Sequence, residues 1–335
     1  MKMATLISLP SILLLALGLT TAGQANAQLI LRASHQFPGS TGDIRDEMIR
    51  IIAREAEAAD VGLTIRVYPG QSLYKAVDQW SALVRGRLDI ALMPLDYASG
   101  RHPEFSATLM PGLVKNHEHA GRLNESPFMD DIKAIINAEG ARVLADTWLA
   151  GGFTSTEKCI LSPEDVQGQV IRAAGPAFER MMVGAGASIT SMPSSEIYTA
   201  MQTGVLDAAS TSSASFVTFR LHEHSLCLTA PGDYGLWFMY EPVLIGERTW
   251  SRLNSDQQAA LLAAGQIAED YFFEQAQLLD QQLEEVFAEA GVEVVRMTQE
   301  HTEAWRAIAV ETSYKVFAEE VPGGAELIEK ALAVE

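Results

Sequence analysis

Short apolar segments alternate with amphipathic helical ones along most of this chain, and that alternation restricts the architecture more than any other feature. "LILRASHQF" reads as a strand ending in polar and aromatic groups, and "TGDIRDEMIRIIAREAEAA" then places Ile44, Met48, Ile51 and Ile52 on one helical face. "LTIRVYPGQ", ended by Pro69 and Gly70, is a second strand, "YKAVDQWSALVRG" a helix and "RLDIALMP" a third strand. Strand and helix in repetition build a parallel sheet, with binding residues gathered beyond the carboxyl ends of its strands. After a helix near 129–138, the strand "ARVLADTW" runs to a break at Gly151 and Gly152, where a second α/β unit is expected to begin. Its segments are "GQVIRAAG", "GPAFERMMVGAGA", "ASITSMP", "SSEIYTAMQTG" and "VLDAAST", alternately strand and helix. Gly204 is placed to end the last helix, and the polar run Ser210 to Ser213 is where the following strand emerges. From about Ser255 to Ala290 the pattern is helical, with Leu262, Ile267, Phe272, Leu278 and Leu283 expected on its buried face. That length suits a helix spanning both units. A further helix at roughly 302–319 is expected on the second.

The first 27 residues carry Lys2, an apolar run from Leu6 to Leu19 and Ala25-Asn26-Ala27, the layout of a cleavable export signal. The run is short for a membrane span. Cleavage after Ala27 leaves 308 residues, a length at which chains commonly divide into two lobes. The formal charge of −19 becomes −20 with the loss of Lys2, which disfavours nucleic acid as a partner. Cys159 and Cys227 are 68 positions apart, and a disulfide or two buried thiols are both open readings.

Signatures of catalysis are missing: the chain has no G-x-S-x-G, H-E-x-x-H, C-x-x-C or phosphate-loop pattern, so an enzyme is not expected, and a secreted enzyme acting on a small acid stands as the alternative of another class. His117 with His119 and His222 with His224 form two H-x-H pairs that would offer zinc two imidazoles each on a strand. The first pair instead lies where a helix should start and the second in a polar segment, so neither metal nor any other cofactor is expected.

"SPEDVQGQVIRAAGPAFERMMVGAGASITSMPSSEIYTAMQTGVLDAAS", residues 162 to 210, resembles the segment that marks the DctP family, the extracytoplasmic solute-binding proteins of tripartite ATP-independent periplasmic (TRAP) transporters. "ASHQFP", "LVRGRLDIALMP", "RVLADTWLAGG" and "TWSRLNSDQQAAL" extend the resemblance over nearly all of the mature chain. It implies a periplasmic monomer of two α/β lobes, each a sheet flanked by helices, with a long helix spanning both. It also implies closure on a small organic acid and delivery to TRAP membrane permease subunits. The expected division is 1–27 signal, 28–149 with 238–277 as lobe 1, and 150–237 with 278–335 as lobe 2.

Arg172 in "QVIR" matches the arginine with which the family grips a substrate carboxylate. A planar guanidinium presents paired donors to both oxygens, and closure removes competing water. A second family arginine, in "G-F-R", is replaced here at Gly152-Phe153-Thr154, and the frequent "D-G-x-E-N" is Asp207-Ala208-Ala209-Ser210-Thr211. One anchoring cation favours a monocarboxylate, a dicarboxylate needing another such as Lys158. Tyr97, Trp148 and Trp237, each after or on a strand expected to converge on the cleft, suit apolar walls. His35, Phe37 and Tyr240 are further candidates, and Ser210, Thr211 or His35 is expected to meet a second oxygen group. The ligand so described is a 2-hydroxy or 2-keto acid, aromatic ones included. Glu241 opens a second reading, an amine-bearing zwitterion.

Overall fold

A computed structural model describes residues 28–39 and 42–335, so the export-signal segment lies outside the described residues. The first strands in the chain are β1 (Leu29–His35), β2 (Leu63–Tyr68), β3 (Ile90–Leu92), β4 (Ala141–Ala145) and β5 (Trp148–Ser155). Then follow β6 (Val170–Arg172), β7 (Ser188–Ile189), β8 (Ala208–Ser212) and β9 (Cys227–Ala230). The last are β10 (Trp237–Tyr240), β11 (Val243–Gly246) and β12 (Glu293–Arg296). They form two sheets, one ordered β2-β1-β3-β11-β4 and the other β12-β9-β5-β8-β6-β7, with β10 also paired to β5. The alternation read from sequence accounts for the parallel pairs β1 with β2 and β3, and β6 with β7 and β8. The strands that change sheets are antiparallel to their neighbours.

"ARVLADTWLAGG" is two strands. β4 closes the first sheet, the chain crosses at Asp146 and Thr147, and β5 enters the second. Gly151 and Gly152 are therefore interior to β5 and not a break. A Cβ at Gly151 would overlap the Thr211 carbonyl and the Trp237 ring, and one at Gly152 the Thr229 carbonyl, so only glycine lets β5 be flanked so tightly. The return crossing, β10 to β11 through Glu241 and Pro242, runs beside the first: Glu241 N–H donates to Thr147 O at 2.8 Å, and Thr147 Oγ1 donates to Glu241 O.

Ile44, Met48, Ile51 and Ile52 are buried on the helix Ile44–Ala58, as their spacing requires. The helix Ser255–Glu289 does run along both sheets, and it buries Phe272 and Leu283 as expected but not the other three residues. Leu262, Ile267 and Leu278 are exposed, while Leu261, Ala264, Gly265, Ala268, Phe272, Ala276, Leu283 and Phe287 are buried. The cause is close approach: a side chain at Gly265 would overlap the Leu144 carbonyl, so small residues form the contact and larger ones are turned outward.

Two expected lobe boundaries need correction. β10 belongs to the second sheet, although Phe238 onward was expected in lobe 1. The helix Gly324–Leu332, expected in lobe 2, packs Leu327 and Ala331 into a cluster with Trp80, Ile132 and Ile136, and Lys330 Nζ lies 2.6 Å from Asp131 Oδ2. The helix Gln299–Ala309 does pack on the second sheet, where Trp305 stacks on Phe153. Cys159 and Cys227 form a disulfide with Cα atoms 5.1 Å apart, tying β9 to the segment after β5.

Candidate functional site

Arg172 ends β6 and is 1% exposed. Its Nε donates to Met192 O at 3.0 Å, Nη1 to Ser210 O at 2.7 Å and Nη2 to the Tyr97 hydroxyl at 3.2 Å. A guanidinium has five N–H donors, so one on each terminal nitrogen is left over, the fork that a carboxylate matches. Among the described residues no carboxylate lies within ion-pair distance of it. Partial charges of carbonyls hold this cation in place without cancelling it.

Tyr97 follows β3 and receives Arg172 from across the cleft. Its oxygen also accepts from Ser194 N–H at 3.0 Å and from Gln36 Nε2 at 3.4 Å. Ser195 Oγ in turn donates to Gln36 Oε1 at 3.4 Å and accepts from Gln71 Nε2 at 3.1 Å. These bonds join loops after β1, β2 and β3 to those after β6 and β7. The site is thus assembled at strand ends, as parallel sheets dictate.

A second buried guanidinium stands next to it. Arg45, fully buried near the start of the helix Ile44–Ala58, forks onto Asp43 at 2.9 and 2.8 Å and lies 3.6 Å above the Phe37 ring. Its remaining donors reach Ser215 Oγ at 3.0 Å, Thr218 Oγ1 at 3.3 Å and Ser212 Oγ at 3.4 Å. Glu241 Oε2 is 3.7 Å from Arg45 Nη1, beyond hydrogen-bonding distance. Burial pushes the Glu241 carboxyl up to about 7, although Arg45 and Arg172 both pull it down. Burial likewise pushes Asp96 up to about 7, against Ser106 and Arg172.

Of the residues expected from sequence, the structure brings Arg172, Tyr97 and Ser210 together by direct bonds, with Ser210 serving through its carbonyl. Phe37 and Glu241 meet at Arg45. Thr211 and His35 are buried at the ends of β8 and β1, where His35 Nε2 lies 3.1 Å from Asp46 Oδ1. Trp237 is in the apolar cluster containing Ala173 and Ala174, next after Arg172, and its buried indole N–H has no partner. Trp148 and Tyr240 are elsewhere. Their rings pack 4.9 Å apart, Trp148 Nε1 donates to Asn124 Oδ1 at 2.7 Å, and Tyr240 donates to Asp146. Trp148 lines a separate groove of about 570 Å³ with Asn124, Lys133 and Glu269. The side chain of Trp148 packs in the cluster that holds Phe128, Phe238 and Tyr240, and that of Phe153, five positions on in β5, packs in the one that holds Ala173 and Trp237.

Sequence reasoning missed Arg45, Asp43 and Gln36. The signal present was the N-cap pattern: Asp43 caps the helix by accepting from Arg45 N–H at 2.9 Å, and the same carboxylate fixes the guanidinium. Lys158 is exposed and joins neither arginine. The histidine pairs separate as well. His117 reaches Asp280 at 2.8 Å, whereas His119 is held by Lys115 N–H and Val334 O; His222 lies on Phe287 and His224 on Tyr198.

The profile of the DctP family, bacterial extracellular solute-binding protein, family 7, matches residues 52–320. A solute-binding protein of Albidiferax ferrireducens is 38% identical over 302 residues, 89% of each chain. The crystal structure of a TRAP periplasmic solute binding protein from Rhodoferax ferrireducens with bound malonate superposes with a TM-score of 0.87 at 38% identity, covering 90% of this chain and 96% of that one. One from Sulfurospirillum deleyianum with bound succinate shares the fold, at a TM-score of 0.82 and 24% identity over 92% and 100% of the two chains.

Proposed function

Since the chain belongs to the bacterial extracellular solute-binding proteins of family 7, we propose that it is the periplasmic receptor for a small organic monocarboxylate, a 2-hydroxy or 2-keto acid, which it delivers to a TRAP membrane permease. One observation carries the ligand reading: of the two buried guanidiniums among the described residues, only Arg172 has N–H groups to spare. Arg45 is neutralised by Asp43 and its donors are filled, which leaves one fork for one carboxylate. The indole of Trp237 and the phenol of Tyr97 supply wall beside that fork.

Malonate and succinate in the related structures are dicarboxylates and define the competing reading. A second carboxylate would have to enter a region that already holds Asp43, Glu241 and Asp96. Binding proceeds without turnover, so the acid should be recovered unchanged.

Calorimetry after removal of carried-over ligand tests the anchor. Arg172→Ala should lose at least about 2–5 kcal/mol, the range for truncating one partner of a hydrogen-bonded charge pair. Arg172→Lys should recover part of this, since an ammonium keeps the charge without the fork. Unchanged affinity in both variants would remove Arg172 from the site. Tight binding of dicarboxylates alone would replace the monocarboxylate reading.

A further inference from the structure

Glu241 lies at the end of β10, where the chain crosses between sheets, and is 2% exposed. Its Oε2 has no hydrogen-bond partner. Arg45 cannot supply one. The Nε of Arg45 and one N–H of Nη2 go to Asp43, the other Nη2 donor goes to Thr218, and the two on Nη1 go to Ser215 and Ser212. All five donors of that guanidinium are spent. Glu241 therefore feels a cation 3.7 Å away without receiving a proton from it. A buried carboxylate oxygen left in that condition is costly, which makes it an open acceptor within the field of Arg172.

We propose that Glu241 is a specificity-determining residue whose Oε2 accepts from a hydroxyl or ammonium group of the ligand, so that the receptor prefers acids bearing such a donor close to the carboxylate over their keto counterparts. The inference rests on Arg172 as carboxylate anchor and narrows the ligand class given above. An ionised carboxylate only accepts, and a keto oxygen offers it nothing to accept. Asp43 at the N-cap and Arg45 in the first turn of the helix Ile44–Ala58, with Arg172 from β6, are the charged groups that act on Glu241, whose carboxyl burial pushes up to about 7. Below that pH its proton can be donated to a keto oxygen; above it the preference for donors is complete. Burial also raises Asp96 to about 7, beside Arg172, but hydroxy and keto acids carry the same charge, so its effect cancels from the hydroxy-to-keto ratio.

The test is calorimetry at pH 6 and pH 8 with matched sets: lactate, alanine and pyruvate; mandelate, phenylglycine and phenylglyoxylate; 3-hydroxybutyrate and acetoacetate. At pH 8 donor-bearing members of at least one set should bind about ten- to a hundred-fold tighter than the keto member, the scale of a hydrogen bond to a charged group. The ratio should shrink at pH 6. Glu241→Gln should abolish its pH dependence, and amino acids should lose more than hydroxy acids because the amide keeps an acceptor but no charge. Asp96→Asn should leave the pH dependence of the hydroxy-to-keto ratio in place. Equal binding of donor and keto acids, or a ratio untouched by Glu241→Gln, would overturn the inference while loss of binding in Arg172→Ala still upheld the anchor. If no member binds the wild type, or Arg172→Ala binds normally, the anchor reading and this inference fall together. Should Glu241→Gln not fold, the wild-type ratios at the two pH values decide: a ratio near one at both overturns the proposal.

Discussion

Two buried guanidiniums, Arg45 and Arg172, differ in what surrounds them, and that difference separates a neutralised cation from one with donors to spare. Asp43 caps its helix and neutralises Arg45 with the same carboxylate; Arg172 has only carbonyl and phenol oxygens. Asp96, beside Tyr97, has a consequence for stability. Its carboxyl is raised from 3.8 to about 7 by burial, so the folded state holds the proton longer than the unfolded chain does. Its contribution is thus fully present below about pH 4, is lost as pH rises through about 7, and is constant above. Asp96→Asn should have little effect near pH 4 and stabilise above pH 7, by up to about 4 kcal/mol for a shift of this size. Denaturant midpoints across pH 4 to 8 would show the gap opening; a gap that closes with rising pH contradicts the assignment.

At the level of elements, the site depends on loops at strand ends meeting closely. Gly175 leads from β6 into the helix Pro176–Gly184, and a Cβ there would overlap the carboxylate of Asp96, which follows β3. The backbone at Gly175 is extended, so an alanine costs nothing locally. Its cost falls on the approach of the two loops. Gly175→Ala should weaken ligand binding at least about tenfold, about 1.4 kcal/mol, with a smaller effect on unfolding. Comparing calorimetric affinity with thermal midpoint distinguishes this from misfolding. Loss of stability with affinity retained would mean that the loops can part without harm to the site.

On the scale of the whole molecule, two adjacent strand crossings and one long helix connect the sheets, and Tyr97 with Gln36, Gln71, Ser194 and Ser195 links them across the cleft. Such a connection lets a ligand draw the lobes together. Small-angle scattering should register a smaller radius of gyration on saturation with a bound acid, and no change for Arg172→Ala at the same concentration. An unchanged radius in the wild type would argue for a preformed, rigid site. No helix among the described residues is long and apolar enough to cross a membrane. The α/β class, the helix Ile44–Ala58 with its buried face, the long helix and Arg172 at the end of β6 were legible in the chain, because local periodicity dictates which residues turn inward. Family resemblance added the role proposed for Arg172. What remained hidden depends on contacts between distant segments. Residues 142–152 cross from one sheet to the other, the long helix buries alanines because β4 approaches it closely, and Trp148 packs on Tyr240 and bonds Asn124. Cys159 and Cys227 pair across 68 positions. The number of arginines could be counted in advance, but the number of their donors still free was decided only by the tertiary structure, since it depends on Asp43, Ser212, Ser215 and Thr218 folding around Arg45 and not around Arg172.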